Sequence, residues 1–106
     1  MVFCLVCRRV ATHNINGQPF CNIHAKIVKH IIKTLESKTL RRWVCLGRSI
    51  IYKDCIIFEP DEYTRYTEKL AVTASQILNR EGYKAQPLLI ASYVHGDRYV
   101  VGVILQ

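Results

Sequence analysis

Four residues with metal-ligand chemistry stand in two spaced pairs: Cys4-x2-Cys7, then thirteen residues, then Cys21-x2-His24. Zinc takes four nitrogen or sulfur ligands in a tetrahedron. A Cys-x2-Cys step aims two sulfurs at one point, and a pair at i and i+3 does the same from the first turn of a helix. The helix N-terminus also favours thiolates. Four protein ligands close the shell and leave no position for a reactive water. The pattern therefore predicts one structural Zn²⁺ held by Cys4, Cys7, Cys21 and His24. Two alternatives stand beside it: a chance scatter of small buried cysteines, and His13 in place of His24. His13 lies off the pair spacing, in the middle of a loop. Cys45 and Cys55 fall in apolar stretches and read as core cysteines, with a second metal contact or a redox role as the alternative.

Charge is unevenly distributed. The 106 residues carry a net +7, but residues 1–48 hold nine Lys/Arg against the single acid Glu36, and residues 49–106 hold six against seven acids. Three thiolates on one Zn²⁺ would lower the total by about one unit and leave this contrast intact. Arg8 and Arg9 follow the first ligand pair, Lys26, Lys29 and Lys33 follow the second, and Arg41 and Arg42 come next. Cations in such an array neutralise phosphates and gain affinity by counterion release. Trp43 or a strand tyrosine offers a ring for base stacking. The expected function is nucleic-acid binding, DNA before RNA, with a regulatory role. The competing expectation is a protein-interaction or homo-oligomeric assembly module with a purely structural zinc. It would use a free strand edge at 98–105. A solvated basic face with no partner is the plainest reading.

Enzymatic chemistry is not expected. Asp54, Glu59, Asp61 and Glu62 suggest a metal-dependent nuclease at first sight. However, Asp61 and Glu62 suit a helix N-terminus, and Asp54 suits the solvent face of a strand. No nucleophile–base pair is visible, and His30 and His95 lack identifiable partners. No apolar run approaches 18 residues, the opening is too short for a secretory leader, and an intracellular home, in the cytoplasm or in a host cell, is expected. In that compartment grouped cysteines serve metals before disulfides.

The elements that must position these groups follow from period and punctuation. Asn16-Gly17 with Pro19 marks a hairpin over 8–20. Residues 22–37 read as a helix with Asn22 as N-cap and an apolar stripe at Ile23, Ile27, Ile31 and Leu35, with Val28 and Ile32 beside it. Strands are expected at 42–46 and 49–58, broken by Gly47-Arg48, which sets Cys45 opposite Ile50 and argues against a Cys45–Cys55 disulfide. Pro60 suits the start of a second helix, with Tyr66, Leu70, Thr73 and Ile77 along one face, Ala74 and Leu78 adjoining, and Gly82 as its stop. Runs 88–94 and 99–105 flank a turn at Gly96-Asp97, with Tyr93 facing Val100 and Ile90 facing Val103.

The first 37 residues resemble a treble-clef zinc finger, in which a knuckle comes first and the second ligand pair opens a helix. The resemblance implies ligand roles for Cys4, Cys7, Cys21 and His24, and no single function. The commonest knuckle has Gly after its second Cys, where this chain has Arg8. The expected fold is α+β: a zinc finger over 1–40 packed on a ββαββ unit over 41–106 with a mainly antiparallel sheet, together one compact domain.

Overall fold

The fold is given by a computed structural model, described for all residues except Lys53, Tyr63, Tyr66, 92–95 and Gln106. The elements run β1 (His13–Ile15), β2 (Gln18–Phe20), α1 (Asn22–Thr39), β3 (Trp43–Arg48), β4 (Cys55–Pro60), α2 (Thr67–Arg80), β5 (Lys84–Ile90) and β6 (Arg98–Ile104). It is a mixed α+β fold with two antiparallel sheets, and the second half follows the expected ββαββ order.

The first sheet is the β1–β2 hairpin. Asn16 and Gly17 both have positive φ, 53° and 85°, the backbone that a two-residue hairpin turn demands. The Asn14 side chain accepts a bond from the Gly17 N–H at 2.9 Å and fixes the turn. The second sheet has the order β3-β4-β6-β5. The β4-α2-β5 crossover thus sets two parallel strands with β6 inserted between them.

Both helices cover one face of this sheet. Val28, Ile31 and Leu35 of α1 and Ala71, Ala74 and Leu78 of α2 pack against Trp43, Cys45, Ile56, Phe58, Val101 and Val103. Cys4, Ile15, Phe20 and Cys21 belong to the same core, so the segment that carries the candidate ligands and the sheet share one apolar interior. Two polar contacts join them. Asn16 Oδ1 accepts from the Cys45 N–H at 3.0 Å, and Glu36 Oε2 accepts from the Trp43 N–H at 3.1 Å.

Several sequence expectations are corrected. Cys21, not Asn22, is the N-cap of α1, and Ile23 is exposed. The ligand pair must face inward, which turns the buried stripe onto His24, Ala25, Val28, Ile31 and Leu35. Gly47 is not a turn. It has φ 107° at a bulge within β3, and a Cβ there would lie 2.8 Å from Gln18 Oε1. The strand runs on past it, so Cys45 faces Phe58, not Ile50.

Pro60 ends β4 opposite Trp43, and α2 begins only at Thr67. Asp61 and Glu62 therefore lie ahead of the helix. The buried face of α2 is Ala71, Ala74, Ser75 and Leu78, with Thr73 exposed, because small residues let the helix sit close to the sheet. Tyr66 lies outside the described residues. Gly82 does end α2: Tyr83 N–H reaches Leu78 O and Gly82 N–H reaches Asn79 O, both at 3.1 Å.

The last hairpin is shifted. Ile90 faces Arg98 and Ala85 faces Val103, since β5 starts at Lys84 directly after the helix stop. A two-residue turn at Gly96-Asp97 is thereby excluded, and Tyr93 lies outside the described residues. Pro87 is tolerated because β5 is an edge strand. The edge expected at 98–105 is not free: β6 is paired on both sides, β5 is the outer strand at one end, and the outer side of β3 carries the hairpin through Asn16 and Cys45.

Candidate metal centre

The ligand site is assembled by three pieces of backbone. Cys4 and Cys7 sit in a tight knuckle closed by Cys4 N–H to Arg9 O at 2.7 Å and Arg8 N–H to Cys4 O at 3.3 Å. The Leu5 N–H donates to Pro19 O at 3.1 Å and ties the knuckle to β2. Cys21 and His24 then open α1.

The four side chains converge, with their ligand atoms all within 4.8 Å of one another. Cys7 Sγ lies 3.6 Å from Cys21 Sγ, and His24 Nδ1 lies 3.7 Å from Cys4 Sγ and 3.3 Å from Cys21 Sγ. Bonds of about 2.3 Å to sulfur and about 2.0–2.1 Å to nitrogen put neighbouring atoms of a zinc tetrahedron about 3.5–3.8 Å apart. The 3.6 and 3.7 Å spacings fall in that range, and the 3.3 Å spacing is slightly shorter. The residues present thus fit one metal ion, with Nδ1 as the histidine donor. His13 stands outside the group, its Nδ1 bonded to Thr12 Oγ1 at 2.9 Å.

The surroundings favour thiolates. Burial works against charge on Cys21, but the His24 N–H and the Cys7, His24 and Cys4 side chains outweigh it and hold the thiol at about 6. Burial likewise opposes charge on Cys4, while N–H groups around Cys21, Val6 and Cys7 bring its pKa below the ordinary value. For Cys7 the Arg9 backbone favours the thiolate, but burial and the neighbouring sulfurs prevail and raise it. Three thiolates cannot crowd together without a cation between them. Cys45 behaves differently: burial pushes its thiol up to about 11. Cys45 and Cys55 are buried free thiols outside the metal group, in keeping with core packing.

Arg8 directly follows Cys7, and its φ is 62°. A left-handed backbone costs a side chain roughly 1–2 kcal/mol, and glycine returns part of that through the entropy of the unfolded chain. Arg8→Gly is accordingly expected to raise stability by up to about 1 kcal/mol in denaturant unfolding of the zinc-loaded protein, whereas Arg8→Val lowers it. A loss of stability with glycine would contradict this.

The seven basic candidates Arg8, Arg9, Lys26, Lys29, Lys33, Arg41 and Arg42 are all exposed. Among the described residues none of them is held in an ion pair. At 100° per residue, Lys26, Lys29 and Lys33 fall opposite the buried Val28, Ile31 and Leu35. Trp43, by contrast, is buried, with its Nε1–H donated to Thr39 Oγ1 at 2.8 Å, so it offers no stacking face. Sequence reasoning also passed over Asn16 as the clasp between hairpin and sheet. The Asn-Gly turn was its available signal.

The carboxylates weighed for nuclease chemistry do not form a ligand group among the described residues. Glu59 pairs with Arg98 at 2.9 Å, and Asp61 and Glu62 line a small cleft beside it. Among the described residues, no helix is long and apolar enough to cross a membrane. No family model, curated protein or solved structure matches this chain.

Proposed function

We propose that this chain is a treble-clef-like zinc-binding protein that binds nucleic acid through the basic surface of its first half, with a regulatory and not a catalytic role. Zinc is the expected metal because three thiolates and an imidazole form a soft, closed, tetrahedral set. The observation that carries the nucleic-acid reading is the stripe of Lys26, Lys29 and Lys33 opposite the buried face of α1, free of ion pairs among the described residues. Arg8 and Arg9 lie at the metal end of that helix, and Arg41 and Arg42 follow its far end. DNA is preferred over RNA because a B-form major groove admits a helix, and the narrow A-form groove does not.

Three to seven phosphate contacts would make affinity for duplex DNA fall by about 40-fold to several thousand-fold between 50 and 200 mM salt. Gel-shift titrations on double- and single-stranded DNA and RNA at these two salt concentrations check it. Salt-insensitive binding, or no binding, defeats the proposal.

A second reading rests on Ile50 and Ile51, exposed at 93% and 77% in the loop after β3. They suit a protein contact or a homodimer built on that loop. Light scattering showing a stable dimer with no nucleic-acid retention favours this alternative.

A further inference from the structure

Between the last turn of α1 and the first two turns of α2 lies an open cleft of about 390 Å³. Lys38 and Arg41 line it from one side and Lys69 from the other, with Leu70 and Thr73 between them. Among the described residues no carboxylate lines it. Asp61, Glu62 and Glu68 line neighbouring clefts instead. Among the described residues the three cations have no ion-pair partner.

Three positive charges around one small cleft repel each other unless an anion joins them. The carbonyls at the end of α1 would oppose an anion, but Lys38 and the positive end of α2 offset them. The Thr39 hydroxyl is already used, donating to Leu35 O at 2.6 Å and accepting from Trp43 Nε1–H, so Thr39 contributes its methyl. Thr73 is exposed and its hydroxyl is free among the described residues. The cleft therefore combines three cations and a hydroxyl with an apolar wall. Its volume falls in the range of small-molecule sites, about 300–1,000 Å³, and exceeds what a bare anion fills.

We propose that this cleft binds a phosphate monoester carried on a small organic body, for which a nucleoside 5′-monophosphate is the probe. Lys38, Arg41 and Lys69 meet the dianion, Thr73 donates to a phosphate oxygen, and Leu70 carries the attached group. The site goes beyond the nucleic-acid reading, with which it shares only Arg41. The phosphate has two sources, a free nucleotide or the terminal phosphate of a nucleic acid.

The test titrates the zinc-loaded full chain with adenosine 5′-monophosphate, adenosine and inorganic phosphate at fixed ionic strength, followed by amide chemical shifts. The monophosphate is expected to bind one site, with shifts at Lys69, Leu70 and Thr73, at least about tenfold more tightly than adenosine or inorganic phosphate. Lys38→Gln with Lys69→Gln replaces two exposed side chains, and circular dichroism checks that the fold is kept. It should weaken monophosphate binding by about tenfold or more. A duplex bearing a 5′-phosphate, compared with its 5′-hydroxyl form, separates the sources. A gain that the double variant abolishes assigns the cleft to nucleic-acid ends, and equal binding assigns it to the free nucleotide. Equal affinity for adenosine or inorganic phosphate, or affinity unchanged in the double variant, overturns the proposal. Failure of unphosphorylated DNA to bind leaves it standing and refutes only the nucleic-acid reading.

Discussion

Cys21→Ala is expected to abolish stoichiometric zinc retention and to unfold at least the knuckle, the β1–β2 hairpin and the start of α1. Three roles end at once. Cys21 supplies a ligand sulfur, it accepts the His24 N–H at 3.4 Å as the N-cap of α1, and it is buried in the shared core. Losing an N-cap costs about 1 kcal/mol. Losing the metal is far larger: structural zinc contributes about 10–16 kcal/mol of apparent binding energy in finger peptides, against about 5–15 kcal/mol of stability for a whole domain. Because Cys4, Ile15 and Phe20 pack with Phe58, Ala74 and Val101, the damage should reach the sheet. Thermal unfolding by circular dichroism with metal analysis checks this. Cys21→Ser keeps a capping oxygen but should still lose the metal. Cys45→Ala, outside the ligand group, should keep one metal per chain. Zinc retained at one equivalent in Cys21→Ala would refute the assignment.

The second large effect is on binding. Lys29→Glu with Lys33→Glu should lower duplex DNA affinity at 150 mM salt by about 100-fold or more. Both side chains are exposed and free of ion pairs among the described residues, so the fold should not change. Two phosphate contacts are removed, and two repulsive charges take their place. The slope of log affinity against log salt should shrink by about 1.8. Arg65→Glu, exposed ahead of α2, also lowers the net charge but lies off α1, and it should retain most of the affinity. Fluorescence anisotropy across a salt series measures both quantities. Equal losses in the Arg65 and Lys29/Lys33 variants would reduce the stripe to bulk charge and refute a defined surface.

The convergence of Cys4, Cys7, Cys21 and His24 was legible because a metal site restricts both residue type and spacing, and the spacing coincides with the onset of a helix. The Asn16-Gly17 turn and the Gly82 stop were legible because each needs a positive φ that few residues supply. What escaped was set by tertiary context. Pro60, Asp61 and Glu62 carry helix-start signals, yet Pro60 is still paired with Trp43 in the sheet, and its ring is tolerated at a strand end. Gly47 reads as a turn by type, but a bulge uses the same backbone freedom. Ile23 fits a period of four and still faces solvent, because the ligand pair fixes the rotation of α1. Trp43 looks like a stacking ring until Thr39 and the core claim it. In the last hairpin, short-range turn chemistry pointed to Gly96-Asp97, while the length of the β5–β6 ladder was decided by where α2 ends.

The central claim is a single Cys₃His metal centre, and Co²⁺ titration of the metal-free chain tests it most directly. The site predicts tetrahedral visible absorption and thiolate charge-transfer bands that saturate at one equivalent of Co²⁺ and are displaced by Zn²⁺. Both signals should be lost in Cys4→Ser and unchanged in His13→Ala, since His13 lies outside the ligand group. An octahedral spectrum, or tetrahedral bands that survive Cys4→Ser, would contradict it.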